Sequence, residues 1–523
     1  MISELECYQK IVSTKKPQSG VPGDLPSAVI KEFSVELAQP LQGVLNNIVK
    51  TAKWPDLWKV EYVTPIGKIP QPETEDDLRP IALTPFFSKV MEQFVVKWLL
   101  DIIGDKLDIR QYGGIKGNSV THYLIELINF ILLNQDNSEP TSVLACFVDF
   151  AKAFNRQDHS ILITKLSDMG VPSWLLKIII SFLSDRTMKV RYKGQTSSVK
   201  KLPGGGPQGA LLGLLLFLIL VNDVGFENQS NENGEIITCK KRVKQLNELH
   251  LKFVDDLTLS ESVSMKSQLS EVPVTARQQP DTFHERTGHS LNPSHSRVFQ
   301  KLIETERYAQ ENKMKINYRK TKLMVFNPGK TRDFFPRFIF NKMELEVVEE
   351  IKLLGVKIRN DLSWGPNTDY IVQKANRKLW CLRRLCNLGA SRSDLLEVYM
   401  KQVRSQLEFA VAVWHPGLTS EDRMKIERVQ KSACCIILGQ EYKSYRKALK
   451  LLELETLYER RKKLCRTFAK KAQKHTKFKT WFKPNTKKSC TRTIPTRFCE
   501  VAARTDRFRQ SPISYLTNIL NRE

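Results

Sequence analysis

Three aspartates lie where carboxylates could share a divalent cation. Asp149 directly follows the apolar run TSVLACFV at 141–148, and Asp255-Asp256 lies inside LKFVDDLTLS at 251–260, with strand-forming residues on both sides. A carboxylate just past the end of a buried strand sits at the sheet's edge, where acids from neighbouring strands can converge. Carboxylates are the hard oxygen ligands that Mg²⁺ takes, usually one or two per ion, with substrate phosphates and water completing the octahedron. Two such ions about 3.5–4 Å apart can activate an attacking oxygen and stabilise a leaving one. A single aspartate in a turn is more often simply solvated. Three that end two apolar strands in a strongly cationic chain point instead to phosphate chemistry.

The cationic surplus is large: 82 Lys and Arg stand against 56 Asp and Glu, a net charge of +26 over 523 residues. A polyanion partner follows, because each phosphate neutralised by Lys or Arg releases condensed counterions. Much of the surplus is local, since residues 460–509 hold 18 Lys and Arg against 2 acids. An anionic membrane fits less well. The opening MISELECYQK has no secretory apolar region. The longest apolar run, 210–221, is shorter than the roughly 20 residues a spanning helix needs and reads as a buried helix. The ten cysteines show no CxxC and no Cys/His zinc spacing. Several lie in apolar stretches, as reduced thiols do in an intracellular, reducing compartment.

Elements that could position the three acids can be read around them. The 141–148 run has the length and content of a central strand buried on both faces. The 251–260 stretch reads as a hairpin with the two acids at its turn. KLMVF at 322–326 reads as a further strand, and 298–314 as a helix before it. Upstream, one amphipathic helix is expected from about Pro26 to Lys53, then a strand over 59–69 ending at Gly67. A turn beginning at LRPI leads into a long helix. A hairpin around Lys193-Gly194 precedes the glycine-rich PGGGPQG at 203–209. Residues 261–296 lose the apolar pattern and read as an inserted loop, and 345–470 read as mainly helical. No internal repeat is visible.

Taken in order, FVDFAKAFNRQDHSILITKL, LPGGGPQGALLGLLLFLILVND and FVDDLTL resemble motifs A, B and C of reverse transcriptases. LRPIALTPFFSKVMEQFVVKWL is similar to a finger motif, MKINYRKTKLMVF to motif D, and QYGGIKGNSVTHYLIELI to the segment before motif A in LINE-type enzymes. EEIKLLGVKI and VWHPGLTSEDRMKIERVQKSACCIILG resemble the thumb region of jockey-like elements. The likeness covers roughly residues 20–480 and is to the non-LTR, LINE-type, jockey-like retrotransposon enzymes. One xxDD is weak; five motifs in order are specific.

The resemblance implies an α+β right-hand polymerase with an antiparallel-sheet palm, fingers and a helical thumb. It divides the chain into an N-terminal extension and start of the fingers (1–60), fingers (61–140), palm (141–335, with the insert near 261–296), thumb (345–470) and a basic C-terminal tail (471–523). Residue by residue, it makes Asp149, Asp255 and Asp256 the catalytic and metal-binding acids, holding two Mg²⁺ ions for which Mn²⁺ can substitute. Lys320 is the residue that protonates the leaving pyrophosphate. Lys68 and Arg79 contact the incoming triphosphate, with a surface ion pair between Arg79 and Asp76 or Asp77 as the plainer reading of that arginine. Gln208 lies against the nascent base pair. Phe154 bars a 2′-hydroxyl, although without the family it is more often a core aromatic.

The implied partners are an RNA template, a DNA primer and dNTPs, with no membrane, in the cytoplasm and nucleus; the oligomeric state is left open. The implied reaction is RNA-directed DNA synthesis. The competing reading is a catalytically inactive, domesticated polymerase-derived RNA-binding protein. LINE-type polyproteins carry an endonuclease before the polymerase, whereas this chain is expected to begin almost directly at the polymerase, and no RNase H cluster or zinc knuckle is evident.

Overall fold

The computed structural model describes residues 1–14, 21–69, 71–137, 141–151, 153–202, 204–207, 209–224, 247–264, 296–327, 338–340, 343–485 and 497–522. The chain opens with a helix that the polar sequence does not announce, Glu4–Ser13 (α1). Ser3 and Glu6 cap it reciprocally, and Cys7 and Ile11 are its buried face. The single helix expected over 26–53 is two, Ser27–Glu32 (α2) and Ser34–Thr51 (α3), parted at Phe33, where the chain leaves helical geometry at ψ 33°.

Val60–Gly67 (β1) ends at Gly67 as expected. The following segment is a strand rather than a turn: Leu78–Leu83 (β2) runs antiparallel to β1. β2 carries Pro80, but it is the edge of its sheet, where a missing N–H is tolerated. Helices Phe86–Ile103 (α4) and Val120–Gln135 (α5) follow. Next come the strand Thr141–Val148 (β3), helices His159–Asp168 (α6) and Ser173–Leu183 (α7), and short strands Thr187–Tyr192 (β4), Gln195–Thr196 (β5) and Lys200–Lys201 (β6). Lys193 and Gly194 turn the β4–β5 hairpin with φ of 49° and 82°, the type I′ pattern that matches strand twist.

β4 joins β1 in parallel, and a buried pair locks that junction: Arg186 Nε donates to Glu61 Oε1 at 2.6 Å. Burial holds the Glu61 carboxyl above its ordinary range, and Arg186 draws it back down. Removing one partner strands the other charge, so Glu61→Ala should lower stability by about 3–5 kcal/mol. Chemical denaturation reads this directly, and a loss under about 1 kcal/mol would assign the pair no structural role.

The apolar run at 210–221 is the buried helix Leu211–Leu220 (α8), and among the described residues no helix is long and apolar enough to cross a membrane. Glu248–Phe253 (β7) and Asp256–Ser264 (β8) form the expected hairpin. Strand therefore continues to Ser264 in what was expected as the insert, and the rest of the insert to 295 lies outside the described residues. Helix Arg297–Glu311 (α9) and strands Lys322–Phe326 (β9), Phe338–Phe340 (β10) and Met343–Val347 (β11) complete a six-stranded sheet ordered β10-β11-β9-β3-β8-β7.

β3 is its central strand and is buried on both sides. Val143, Ala145 and Phe147 enter one hydrophobic core, while Leu144, Cys146 and Val148 enter the other. β9 divides in the same way, with Met324 and Phe326 against Leu323 and Val325. The period-2 alternation of a strand thus fixes two layers of packing at once.

The segment after β11 begins with a hairpin, Glu350–Leu353 (β12) and Val356–Arg359 (β13), rather than helix. Helices Gly365–Asn387 (α10), Arg392–Val398 (α11), Ser405–Glu408 (α12), Val411–Trp414 (α13), Ser420–Leu438 (α14), Tyr445–Leu451 (α15) and Leu457–Lys474 (α16) then form the helical layer. The basic C-terminal segment packs back on the fold through Asp506–Arg509 (α17) and Pro512–Asn521 (α18). Phe478 stacks on His122 of α5 with ring centroids 3.9 Å apart, and Trp481 Nε1 donates to Glu126 at 2.8 Å. Asp136, at the end of α5, accepts from the Arg504 and Thr505 amides at 2.9 and 2.7 Å.

Candidate active site

The ladder between β3 and β8 sets the acids. Val148 pairs with Leu257 and Phe147 with Thr258, so the next step of that antiparallel register puts Asp149 opposite Asp256. Directly opposed residues have Cβ atoms about 4.5–5.5 Å apart on one face. Phe253 pairs with Asp256, which leaves Val254 and Asp255 as the two turn residues. Val254 has φ 61° and Asp255 does not share that sign, the type II′ pattern, which normally takes glycine first. A β-branched residue there is strained by about 1–3 kcal/mol and persists only where its surroundings hold it.

The electrostatics are those of buried, neighbouring acids. Burial, then Asp255 and then Asp149, push Asp256 up to about 7. Burial also raises Asp149, against Lys320, Lys68 and a hydrogen bond from the Asn317 side chain, which draw it down. Asp255 is raised by burial and drawn down by Arg79. All three acids are therefore short of compensating positive charge. Among the described residues no three acid, cysteine or histidine side chains enclose an ion by themselves. An open set of hard carboxylates still fits Mg²⁺, which leaves several positions to water and phosphate.

The cations come from two directions. Ile66 pairs with Arg79 and Gly67 with Leu78, so Lys68 and Arg79 stand together, exposed, at the end of the β1–β2 hairpin. Asp77 is engaged elsewhere: its Oδ2 accepts from the Thr74 and Glu73 amides at 3.0 and 3.2 Å. The field of Arg79 acts on Asp255. Lys320 belongs to a turn wrapped around Asp149, whose carbonyl accepts from the Asn317 amide at 2.7 Å while its N–H donates to Thr321 Oγ1 at 3.3 Å. Asn317 and Thr321 were not singled out in the sequence. They lie within the NYRKT stretch, where only the lysine drew notice.

Gln208 lies outside the described residues, but the ends of its loop are placed. A Cβ on Gly209 would come 2.8 Å from the Ala82 carbonyl of β2, and one on Gly205 would come 3.0 Å from the Phe154 carbonyl. The glycines thus let the loop pass between the strand that carries Arg79 and the segment that carries Phe154. The helix behind the loop, α8, takes its cap from Glu92 of α4, a fully buried carboxylate that accepts from the Leu212 amide at 3.1 Å. Phe154 is half-buried and stacked on Phe217 of α8 at 4.4 Å. That contact fits a core aromatic and also braces the ring as a rigid wall. Six of the eight residues expected at the site, Asp149, Asp255, Asp256, Lys68, Arg79 and Lys320, act on one another, and Phe154 stands beside the glycine-rich loop.

Comparison with known proteins gives the family. Residues 69–358 match the family described as reverse transcriptase (RNA-dependent DNA polymerase). The chain is 28% identical over 220 residues to the RNA-directed DNA polymerase from mobile element jockey of Drosophila melanogaster, covering 41% of this chain and 24% of that protein. It is 30% identical over 205 residues to the probable polymerase from transposon BS of the same fly, covering 39% and 22%. To the X-element polymerase it is 22% identical over 446 residues, covering 83% and 44%. The chain thus spans less than half the length of these curated relatives. A solved structure titled as Candida tropicalis telomerase in complex with a TWJ fragment of telomeric RNA is similar at 11% identity and a TM-score of 0.38, over 85% of this chain and 67% of that one. With a family match across more than half its length, the chain belongs to the reverse transcriptase (RNA-dependent DNA polymerase) family, and is of the jockey-like, non-LTR retrotransposon kind.

Proposed function

We propose that the chain is an RNA-directed DNA polymerase that adds a deoxynucleotide from a dNTP to a primer 3′-hydroxyl on an RNA template. The primer oxygen bonds to the α-phosphorus, the bond to the β-phosphate bridging oxygen breaks, and pyrophosphate leaves. One observation carries the reading: the β3–β8 ladder ends at Val148–Leu257, so its next step brings Asp149 to Asp256, beside Asp255, with Lys68 and Arg79 at the neighbouring hairpin end. Asp149 and Asp255 would hold two Mg²⁺, or Mn²⁺, with Asp256 completing the acidic face. Bound there, the ions supply electrostatic stabilisation of the attacking and leaving oxygens.

The chain's own cations do the rest. Arg79 can grip triphosphate oxygens bidentately and Lys68 as a point charge. Lys320 Nζ is the proton source for the leaving pyrophosphate. Gln208 and its loop would support the nascent base pair. Catalysis on this account is mostly positioning and preorganised charge. The test is incorporation of dTTP on poly(rA) primed with oligo(dT), which should require Mg²⁺ and stop on chelation; incorporation that persists in chelator would reject the acid site.

Phe154 sets the sugar preference in this reading. Phe154→Val opens space at the 2′ position and should raise ribonucleotide relative to deoxynucleotide incorporation by at least roughly tenfold, since each ~1.4 kcal/mol of lost discrimination is a factor of ten. Matched single-nucleotide extensions with rNTP and dNTP measure it. An unchanged ratio would leave Phe154 only its stacking on Phe217.

A further inference from the structure

The strained turn that carries Asp255 needs something to hold it, and one side chain from a distant segment is placed to do so. Gln111 is buried, 4% exposed, in the stretch between α4 and α5. Its Oε1 accepts from the Val254 amide at 2.9 Å and from the Gly113 amide at 2.9 Å. The same stretch runs along β7: the Lys252 amide donates to the Arg110 carbonyl at 3.0 Å, and the Tyr112 amide donates to the Lys252 carbonyl at 2.8 Å. Lys252 Nζ reaches Asp108 Oδ2 at 2.8 Å, a fully buried pair two residues before the turn. At the top, a Cβ on Gly113 would lie 2.6 Å from Val254 Cγ2 and 2.7 Å from the Val254 nitrogen, so only glycine lets the stretch close on the turn.

We infer that Gln111 is a positioning residue for catalysis: its amide oxygen fixes the Val254 peptide in the left-handed region and thereby aims the Asp255 and Asp256 carboxylates at Asp149. Without that acceptor the Val254 N–H is left unpaired in a half-buried turn whose conformation β-branched residues avoid, and the turn relaxes. This rests on the polymerase reading for its kinetic consequence but not for its structural one.

The test uses two variants of the full chain. Gln111→Met keeps length and volume and removes the acceptor, whereas Gln111→Glu keeps an acceptor at the same reach. A displacement of about 1 Å at a reacting centre can cost ~100-fold, so kcat for dNTP incorporation should fall by tenfold or more in the Met variant. KM for dNTP should change little, because Lys68 and Arg79 are untouched. Gln111→Glu should recover most of kcat. Peptides spanning 252–257 should exchange amide hydrogen faster in the Met variant than in wild type, while those from β3 should not. Wild-type kcat in the Met variant, or equal losses in both variants, would overturn the proposal. If the wild-type protein incorporates no nucleotide, the polymerase reading fails and the exchange experiment decides alone: unchanged protection at 252–257 would overturn it.

Discussion

Asp255→Asn should abolish DNA synthesis while leaving the protein folded and bound to template. The side chain keeps its size and loses the charge that would hold a cation at the turn. Metal ions contribute several kcal/mol of transition-state stabilisation, so a fall of at least ~1000-fold is expected. Asp149→Asn should act alike, since it removes the acid opposite Asp256. Stability should move the other way. Asp256 is pushed up to about 7 by burial and by the charges of Asp255 and Asp149, so removing either neighbour relieves repulsion in metal-free protein. Melting in chelator should therefore occur at the same temperature or higher for both variants, and primer–template affinity measured in chelator should match wild type. Activity within tenfold of wild type in either variant would dismiss these acids as the catalytic set.

Removal of residues 475–523 should unfold the helical layer that packs on α5. A basic terminal segment suggests a flexible grip on nucleic acid, and a free tail could be cut with no effect beyond a shallower dependence of affinity on salt. The structure gives it a different part. Phe478, Trp481, Phe482, Phe498, Phe508, Ile513, Leu516 and Leu520 are each at most 7% exposed and share the core that contains α5 and β3. At about 1.5–3 kcal/mol per buried large side chain, their loss exceeds ~12 kcal/mol, as much as a whole domain's usual margin of about 5–15. Insoluble or molten truncated protein is the expected result. Trp481→Ala is the graded form of the test and should cost about 3–5 kcal/mol. A truncated chain that melts with the full-length protein would return the segment to the role of a tail.

Local pattern made the catalytic strands legible. β3, β9 and the β7–β8 hairpin were readable because a strand's period and a turn's acids are written in a few consecutive residues, and the pairing of Asp149 with Asp256 then follows from register. The N-terminal helix was hidden by polar residues that serve as its cap, and β2 by a proline that an edge strand can carry. The hairpin β12–β13 was lost inside a longer helical stretch. What no local pattern could supply was the role of residues far from the site. Gln111 meets Val254 across 143 positions, and Trp481 meets Glu126 across 355. Glu92, a buried acid in a largely apolar helix, is explained by the uncapped end of α8 that it satisfies. Composition says least at the C-terminus, where Lys and Arg outnumber the aromatics that anchor it.

Templated nucleotide transfer at the Asp149–Asp255–Asp256 site is the activity proposed for the chain. Its most direct measurement is single-turnover extension of a labelled DNA primer on a heteropolymeric RNA template by the purified chain, with Mg²⁺ and one dNTP at a time. The primer should lengthen by one nucleotide only with the complementary dNTP, one pyrophosphate should be released per addition, and the Asp255→Asn protein should give no product. A chain that binds the primer–template, melts cooperatively and still adds no nucleotide in Mg²⁺ or Mn²⁺ would contradict it and leave a polymerase-derived RNA-binding protein in its place.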